Sequence, residues 1–398
     1  MAQSYWRTVS LVTVWQVSAS LCYYTVFAAT PFFRADFGLS RVSVGFVVTT
    51  LTLGYAVFLL PLGALTDRFG ERTTLMIGLL GLSLSVALVA SAPSIALLLA
   101  AVFVLGTFYA TAIPGTNKAV YDSIAAGRQN LAMGIKQVGV TGGSAISALL
   151  VTGLAGIYSW QAGFVVAAVI GLLVTVVFGL FYTGSSEPGN ASYPDFRYLA
   201  TNRPYRVLVA AGFFLGATLF TTTGYTVLFV QEELGTSVVF AGGVLALVQL
   251  WGSVGRILTG WLSDVLPGEP RHRIGTILLV QTLAGATVFL VLPLISSPFG
   301  AAVAFSVLGF FVLGNTGVYY SCMATLVASE EMGGATAGGQ LALVAGALVA
   351  PPAFGYLADT VGYGASWWLL AAGSALAAAL VVVGIRLDVP IDDVAMSE

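Results

Sequence analysis

Long apolar stretches alternate with short polar breaks along the whole chain, from residues 8–29 near the amino terminus to residues 364–386 near the carboxyl terminus. We count twelve such stretches, each close to the roughly 20 residues that a helix needs to cross a bilayer. They contain Gly and Ala freely and are too long and too uniformly apolar for the tilted strands of a barrel, so they predict α-helices. The predicted fold class is an all-α membrane protein with twelve transmembrane helices.

The composition supports an integral membrane protein and argues against several other classes. Only 8% of the residues are charged and 58% are hydrophobic, whereas a soluble domain has roughly 25% charged residues. Cys22 and Cys322 both fall inside predicted helices, which suits buried thiols better than a disulfide framework or a metal site. No phosphate-binding loop, nucleophile elbow or pair of intramembrane carboxylates is present, so we expect no cofactor, no metal, no nucleic acid partner and no enzymatic activity.

Basic residues indicate the orientation of the chain in the membrane. If the amino terminus lies inside, Arg34 and Arg41 face outside and ten of the fifteen Lys and Arg face the cytoplasm. This bias predicts cytoplasmic termini in the plasma (inner) membrane, and we expect a monomer. The ten are Arg7, Arg68, Arg72, Arg128, Arg197, Arg203, Arg206, Arg271, Arg273 and Arg386.

A polar segment at residues 184–204 divides the chain into two predicted domains, 1–183 and 205–398, with six apolar stretches each. This segment is rich in Gly, Ser, Pro and Asn and reads as a cytoplasmic linker. An internal echo supports the division, since GALTDRFGER at 63–72 follows the second stretch and GWLSDVLPGEPR at 260–271 follows the eighth. Duplication of a six-helix unit explains both observations.

The segment GALTDRFGER resembles the signature between helices two and three of the major facilitator superfamily, with Gly63, Asp67, Arg68, Gly70 and Arg72 at matching positions. The resemblance implies two pseudo-symmetric six-helix bundles that expose a central site alternately to each side of the membrane. It also implies a gating role for Asp67, Arg68 and Arg72 at the membrane edge, and for Asp264 in the weaker second copy.

Two further segments resemble narrower groups of this superfamily. GRQNLAMGIKQVGVTGG at 127–143 is similar to the fifth-helix motif of monocarboxylate porters. GRILTGWLSD at 255–264 resembles the eighth-helix arginine motif that those porters share with oxalate:formate antiporters. The acidic first-helix signature of the porters is absent, and no acid lies one turn before the arginine. Proton symport, exchange against a counter-anion and facilitated diffusion therefore all stay open.

Lys118, Lys136 and Arg256 lie in stretches that otherwise read as membrane core, and no Asp or Glu lies equally deep in the sequence pattern. A charge at the centre of a membrane helix costs roughly 2.5 to 3.5 kcal/mol on insertion scales, so such residues usually face a protein interior or an aqueous cavity. The lack of an equally deep acid suggests an anionic substrate as the partner.

Arg256 is the strongest candidate for binding this anion. It precedes Asp264 by eight residues, which places it roughly 12 Å inside the predicted boundary. Its helical face carries small and polar residues, and its planar guanidinium matches the two oxygens of a carboxylate. The alternative is a structural arginine bonded to backbone carbonyls. The face comprises Gln249, Gly252, Ser253, Thr259 and Gly260.

The two lysines carry less specific signals. Lys136 shares a face with Ala132, Gly139 and Gly143, where the small residues either admit a neighbouring helix or leave space for a ligand. Its substrate-binding and structural interpretations both stay open. Lys118 has Asp122 four positions later on the same helical face, where the two can pair, so we predict a structural or gating role for both.

The resemblance implies that the first, fourth, seventh and tenth helices line the cavity. Gln16 and Tyr23 then become substrate-binding candidates on the first helix, with Thr13 and Ser20 on the same face. Asn315 and Tyr319 are the candidates on the tenth. Either pair could instead hold helices together through hydrogen bonds of about 0.6 kcal/mol each.

These patterns predict a secondary active or facilitative transporter of a small organic anion, with monocarboxylates favoured, that works by alternating access. Its partners would be the substrate, the lipid bilayer, and protons or a counter-anion. The main alternative is an exporter of drugs or other hydrophobic compounds, which the 24 Phe and 16 Tyr residues permit. A membrane enzyme and a transport-derived sensor are the remaining alternatives.

Overall fold

The computed structural model describes residues 2–123, 129–184, 196–328 and 331–387, and these form helices joined by short turns. Arg128 and most of the predicted linker lie outside the described residues. The helices are α1 Ala2–Ala28, α2 Thr30–Phe37, α3 Arg41–Phe69, α4 Glu71–Ala90, α5 Ile95–Tyr109, α6 Ala112–Ser123, α7 Gln129–Ala155, α8 Trp160–Phe181, α9 Phe196–Leu199, α10 Arg203–Glu232, α11 Val238–Val265, α12 Pro270–Val291, α13 Pro298–Leu308, α14 Asn315–Ala324, α15 Met332–Thr360 and α16 Tyr363–Arg386.

Twelve segments of the described chain are long and apolar enough to cross a membrane, which confirms the predicted number of spans. Two spans are interrupted. The fourth consists of α5 and α6, separated at Ala110–Thr111. The tenth consists of α13 and α14, joined by a π-helical turn at Gly309–Leu313. Such turns widen the helix locally and are frequent at functional sites, and the hydrophobic pattern gave no sign of them.

The chain divides into two compact units. Unit 1 contains the described residues within Met1–Leu39, Val47–Ser192 and Thr236–Ala246, and unit 2 those within Ser40–Phe46, Tyr193–Gly235 and Leu247–Glu398. Two short segments depart from the order of the chain. Ser40–Phe46 at the start of α3 groups with unit 2, and Thr236–Ala246 at the start of α11 groups with unit 1.

In unit 1, helices α1 and α7 approach closely through the small face that the sequence placed beside Lys136. A Cβ atom added at Gly139 would lie 3.1 Å from the carbonyl oxygen of Thr13, and one at Gly143 would collide with the carbonyl oxygen of Val17. The glycines therefore admit a neighbouring helix. This contact fixes the position of α7, which carries Lys136, relative to the polar face of α1.

Unit 2 contains a similar close approach, between α11 and the interrupted tenth span. A Cβ atom at Gly252 would lie 2.8 Å from the Cβ atom of Leu313, and one at Gly255 would collide with the backbone oxygen of Phe310. Glycine at both positions lets α11 rest directly on the π-helical turn. The residue after Gly255 is Arg256, so this packing brings its side chain to the backbone of the turn.

The two cysteines are buried free thiols, as predicted. Among the described residues, no three His, Cys, Asp or Glu side chains cluster as metal ligands would.

Candidate functional site

Lys136 is buried in unit 1, with only 3% of the residue exposed. Its ammonium donates a hydrogen bond to the side-chain oxygen of Asn117 on α6, with 2.7 Å between Nζ and Oδ1. Within the described part of the chain, no carboxylate lies within ion-pair distance of this ammonium. A neutral amide dipole thus faces a side chain that is positively charged in its ordinary state.

The polar face of α1 forms a buried hydrogen-bonded chain in the same unit. Gln16 donates to Ser20 at 3.1 Å, and the hydroxyl groups of Ser20 and Tyr109 lie 3.1 Å apart. Tyr23 is buried, and its ring stacks on that of Tyr109 with 4.0 Å between the centroids. The hydroxyl of Thr13 is buried and makes no hydrogen bond among the described residues. The polar face of α1 is therefore present in the structure, and the Thr13 hydroxyl on it could still make a hydrogen bond.

Lys118 and Asp122 form the predicted ion pair on α6, with 2.9 Å between Nζ and Oδ2. Both side chains are partly exposed, at 20% and 34%. Lys118 thus differs from Lys136, because its charge is balanced by an acid one turn away on the same helix.

Arg256 lies on α11 in unit 2 and is partly buried. Its Nε atom donates a hydrogen bond to the backbone oxygen of Leu313 at 3.0 Å. Leu313 is the last residue of the π-helical turn. A hydrogen bond to a backbone carbonyl is the contact expected if Arg256 has a structural role. It occupies one of the five N–H donors of a guanidinium group and fixes the orientation of its plane.

Tyr320 on the tenth span lies within electrostatic range of the Arg256 guanidinium. Its hydroxyl group donates a hydrogen bond to the side-chain oxygen of Gln340 on α15. Tyr319, the candidate taken from the sequence, lies in the hydrophobic core of unit 2. Asn315 is buried, and its side-chain oxygen makes no hydrogen bond among the described residues. The polar surroundings of Arg256 therefore include a tyrosine that sequence reasoning missed.

The residues of the predicted gating motif lie at the junction of α3 and α4. Gly70 joins these helices with a φ of 80°, a backbone conformation that favours glycine. Arg72 donates to the backbone oxygen of Gly179 at 2.8 Å, and the Arg68 guanidinium lies 5.3 Å from the centroid of the Phe69 ring. In the described part of the chain, no ion pair joins Asp67 to either arginine.

The second copy of the motif lies in unit 2, and one further acid lies at the start of α4 in unit 1. Asp264, the counterpart of Asp67, is exposed near the end of α11. Glu71 begins α4 and is almost fully buried, and its Oε1 atom accepts a hydrogen bond from the Tyr182 hydroxyl at 3.1 Å. The gating role of the motif residues stays a prediction.

A second set of charged residues surrounds Arg41 at the start of α3, in unit 2. Its guanidinium lies 2.9 Å from Glu232 and 3.6 Å from Asp359, and 4.8 Å from the centroid of the Tyr363 ring. The carboxylate of Asp359 also accepts the backbone N–H groups of Arg41 and Val42, at 3.1 and 3.0 Å. We call Arg41, Glu232, Asp359 and Tyr363 the Arg41 cluster.

The twelve spans, the motif after the second of them and its echo after the eighth all point to one superfamily. The sequence profile of the Major Facilitator Superfamily matches residues 12–342. The chain belongs to this superfamily. Members of the Major Facilitator Superfamily are membrane transporters, so the protein is a multi-pass transporter and not an enzyme, as predicted.

Two relatives of this superfamily member cover most of the chain at low identity, and a third matches a shorter part of it. A hexuronate transporter of Bacillus subtilis is 24% identical over 373 residues, which span 89% of this chain and 88% of the relative. Monocarboxylate transporter 13 of Bos taurus is 26% identical and spans 83% and 78%. A multidrug efflux pump of Mycolicibacterium smegmatis is 36% identical over 152 residues, which span 38% of this chain and 30% of the pump.

Solved structures support the fold. The crystal structure of a bacterial homolog of the human lysosomal transporter Spinster, in an inward-facing and occupied conformation, has a TM-score of 0.78 to this superfamily member. The sequences are 16% identical, and the similarity covers 95% of this chain and 96% of the homolog.

Sequence reasoning identified the three cations but missed several of their neighbours. Asn117 lies 19 residues before Lys136 on another helix, so no local spacing connects them. Tyr320 differs from the chosen Tyr319 by one position, about 100° around a helix. Pro114 and the glycines at 309 and 314 are the sequence signals from which the breaks in the fourth and tenth spans could have been predicted.

Proposed function

We propose that this transporter is a secondary active or facilitative carrier of a small organic anion, and that Arg256 is its main anion-binding residue. The supporting observation is the position of Arg256 in the eighth span, where it is partly buried and oriented by the Leu313 carbonyl. An oriented guanidinium can present two parallel N–H donors to a carboxylate, an arrangement that gives geometric specificity as well as affinity.

The relatives support the same substrate class. Two relatives with wide coverage are named for hexuronate and for monocarboxylates, and both kinds of compound carry a carboxylate. We expect the carboxylate to bind at Arg256, with Tyr320 as an additional polar group in unit 2. Asn315 contributes a further buried side-chain oxygen that can accept a hydrogen bond from a substrate hydroxyl.

Lys136 is a second proposed anion-binding residue, in unit 1. It is buried and faces the neutral oxygen of Asn117. Gln16, Ser20 and the buried Thr13 hydroxyl lie on α1, the helix that packs against α7, and the Ser20 hydroxyl lies 3.1 Å from that of Tyr109 on α5. These uncharged groups suit a hydroxylated acid better than a purely hydrocarbon one.

The test of Arg256 is counterflow of labelled D-glucuronate and L-lactate in proteoliposomes, with and without a pH gradient. We expect Arg256→Gln to reduce the apparent affinity for the transported acid by roughly tenfold to hundredfold, because a hydrogen bond to a charged group contributes about 1.5 to 3 kcal/mol. Arg256→Lys should retain the charge but lose the two-point geometry, and should fall between wild type and Arg256→Gln.

Arg206→Gln is the matched control, since Arg206 is exposed. It should leave counterflow unchanged. Unchanged uptake in both Arg256 variants, in protein that unfolds at the wild-type temperature, would contradict the proposal. The pH gradient tests coupling in the same experiment, because acceleration by an inward gradient is expected for proton symport and not for exchange against a counter-anion.

The multidrug efflux pump favours a second candidate, export of hydrophobic compounds, because its 36% identity over 152 residues exceeds that of the longer matches. Competition distinguishes the two functions. An anion carrier is inhibited by D-glucuronate or L-lactate and not by tetraphenylphosphonium, a lipophilic cation, whereas an exporter of hydrophobic compounds shows the opposite pattern.

We also propose that both termini face the cytoplasm in the inner membrane, and that Asp67, Arg68, Arg72 and Asp264 control the cytoplasmic opening. This orientation places the motif residues and most of the arginines on the cytoplasmic side. Accessibility of single cysteines introduced beside Arg72 and Arg34, probed with an impermeant thiol reagent in intact cells, tests it. Labelling is expected only beside Arg34.

A further inference from the structure

Lys136 and Asn117 form an unusual pair for the interior of a membrane protein. A buried ammonium is ordinarily matched by a carboxylate, because taking a charge out of water is costly unless an opposite charge replaces the solvent. Here the hydrogen-bond acceptor at 2.7 Å is an amide oxygen. An aspartate would have the same shape as Asn117 and would supply a full negative charge, so this position decides whether the lysine has a permanent counter-ion.

The charged groups on the neighbouring helices do not replace such a counter-ion. On α6, the acid after Asn117 is Asp122, which pairs with Lys118 at 2.9 Å. On α1, the side chain opposite Gly139 is Gln16, an uncharged group that donates to Ser20. Helix α8, which also packs against α7, carries no Asp, Glu, Lys or Arg between Trp160 and Phe181.

We propose that Asn117 is a positioning residue that holds the ammonium of Lys136 in place for a substrate anion, without neutralising it. This inference rests on the proposed function and adds the residue that controls the second cation. The amide oxygen accepts one of the three N–H donors of the ammonium and orients the side chain. An anionic oxygen of the substrate then takes another donor, or displaces the amide, and it competes only with a dipole. A fixed carboxylate at position 117 would compete as a charge.

The test compares Asn117→Asp with Asn117→Ala in the purified full-length carrier, by binding of D-glucuronate and L-lactate and by thermal unfolding. We expect Asn117→Asp to weaken binding of the transported acid by about tenfold or more, because the new carboxylate occupies the ammonium. The same variant should unfold at a higher temperature than wild type, since a buried charge gains a partner.

Asn117→Ala should lower the unfolding temperature, because the buried ammonium loses its acceptor. Loss of the amide removes both a competitor of the anion and the group that orients the ammonium, so affinity should fall by much less than in Asn117→Asp. If Asn117 only supported the fold, both variants would lower the unfolding temperature and the affinity together, and that result would overturn the inference.

A Lys136→Met background supplies the matched control. In this background Asn117→Asp has no ammonium to occupy, so it should cause no further loss of affinity. The difference between the two backgrounds measures the coupling between the residues. An equal loss in both backgrounds would overturn the inference.

The proposed function and this inference fail in different ways. If wild type bound neither acid, or if Arg256→Gln bound them as wild type does, the proposed function would fail. If Arg256→Gln lost binding while Asn117→Asp kept wild-type affinity, the inference about Asn117 would fail alone.

Discussion

Arg41 and Lys136 are cations at helical positions, and they differ in how deeply they are buried and in the charge of their partners. Arg41 in unit 2 is 24% exposed and contacts Glu232 and Asp359. Lys136 in unit 1 is 3% exposed and contacts the uncharged Asn117. The more deeply buried charge thus has the weaker fixed partner. A cation whose counter-ions belong to the chain acts as a structural joint, whereas a cation beside a dipole keeps its charge for another molecule.

The largest expected difference comes from the same substitution at the two cations. Arg41→Met leaves two carboxylates beside each other without their cation, and we expect it to lower the free energy of unfolding by about 2 to 4 kcal/mol. Lys136→Met removes a buried charge that has a neutral partner, and should change stability by no more than about 1 kcal/mol while abolishing the contribution of Lys136 to anion binding. Thermal unfolding in detergent measures both.

Arg206→Met, at an exposed arginine, controls for the loss of a positive charge and should be close to wild type. Equal destabilisation by Arg41→Met and Lys136→Met would show that the neutral partner has no special meaning and would break the comparison.

The second expected effect concerns the helix contact that fixes α7 beside α1. A methyl group at Gly143 would collide with the Val17 carbonyl, whereas one at Gly142 meets no atom within 4 Å. Gly143→Ala should therefore cost about 1 to 3 kcal/mol of stability and should also weaken anion binding at Lys136. Gly142→Ala, on the same turn, should be neutral or slightly stabilising.

Unfolding temperature and D-glucuronate binding, measured in parallel for the two alanine variants, sharpen the comparison. If Gly143→Ala lowered stability without any effect on binding, the position of α7 would not matter for the site.

The smallest expected effect is at Lys118, a third kind of cation whose acid lies on its own helix. Asp122→Asn should cost only about 0.3 to 0.5 kcal/mol, as is typical of partly exposed pairs at this spacing. Thermal unfolding at low and high salt tests this, because added salt should remove most of the difference from wild type. A loss comparable with that of Arg41→Met would indicate that Lys118 and Asp122 belong to a larger network.

The sequence predicted what depends on local spacing. The twelve spans follow from the apolar run lengths, and the Lys118–Asp122 pair follows from four-residue periodicity. The depth of Arg256, inferred from its distance to Asp264, stays a prediction. What could not be predicted depends on contacts between helices far apart in the chain, such as the Lys136–Asn117 pair and the Arg41 cluster, which draws residues from four helices.

The site around Arg256 shows a further limit of prediction from sequence, which concerns the angular positions of side chains around a helix. Apolar periodicity cannot reveal a π-helical turn, and the turn at Gly309–Leu313 shifts every later side chain of the tenth span around the axis. Tyr320, and not Tyr319, is the tyrosine within electrostatic range of the arginine. The turn also supplies the Leu313 carbonyl, an acceptor that no side-chain pattern encodes.

The Leu313 anchor has a consequence for experiments in acidic medium. A peptide carbonyl neither gains nor loses a proton between pH 4 and pH 9, and a guanidinium stays protonated throughout that interval. The orientation of Arg256 is therefore insensitive to acidification. If uptake varied with pH along a bell-shaped or sigmoid curve, the variation would originate in the ionisation of the transported acid or of another side chain. Arg256 would make the same contribution at every pH in this range.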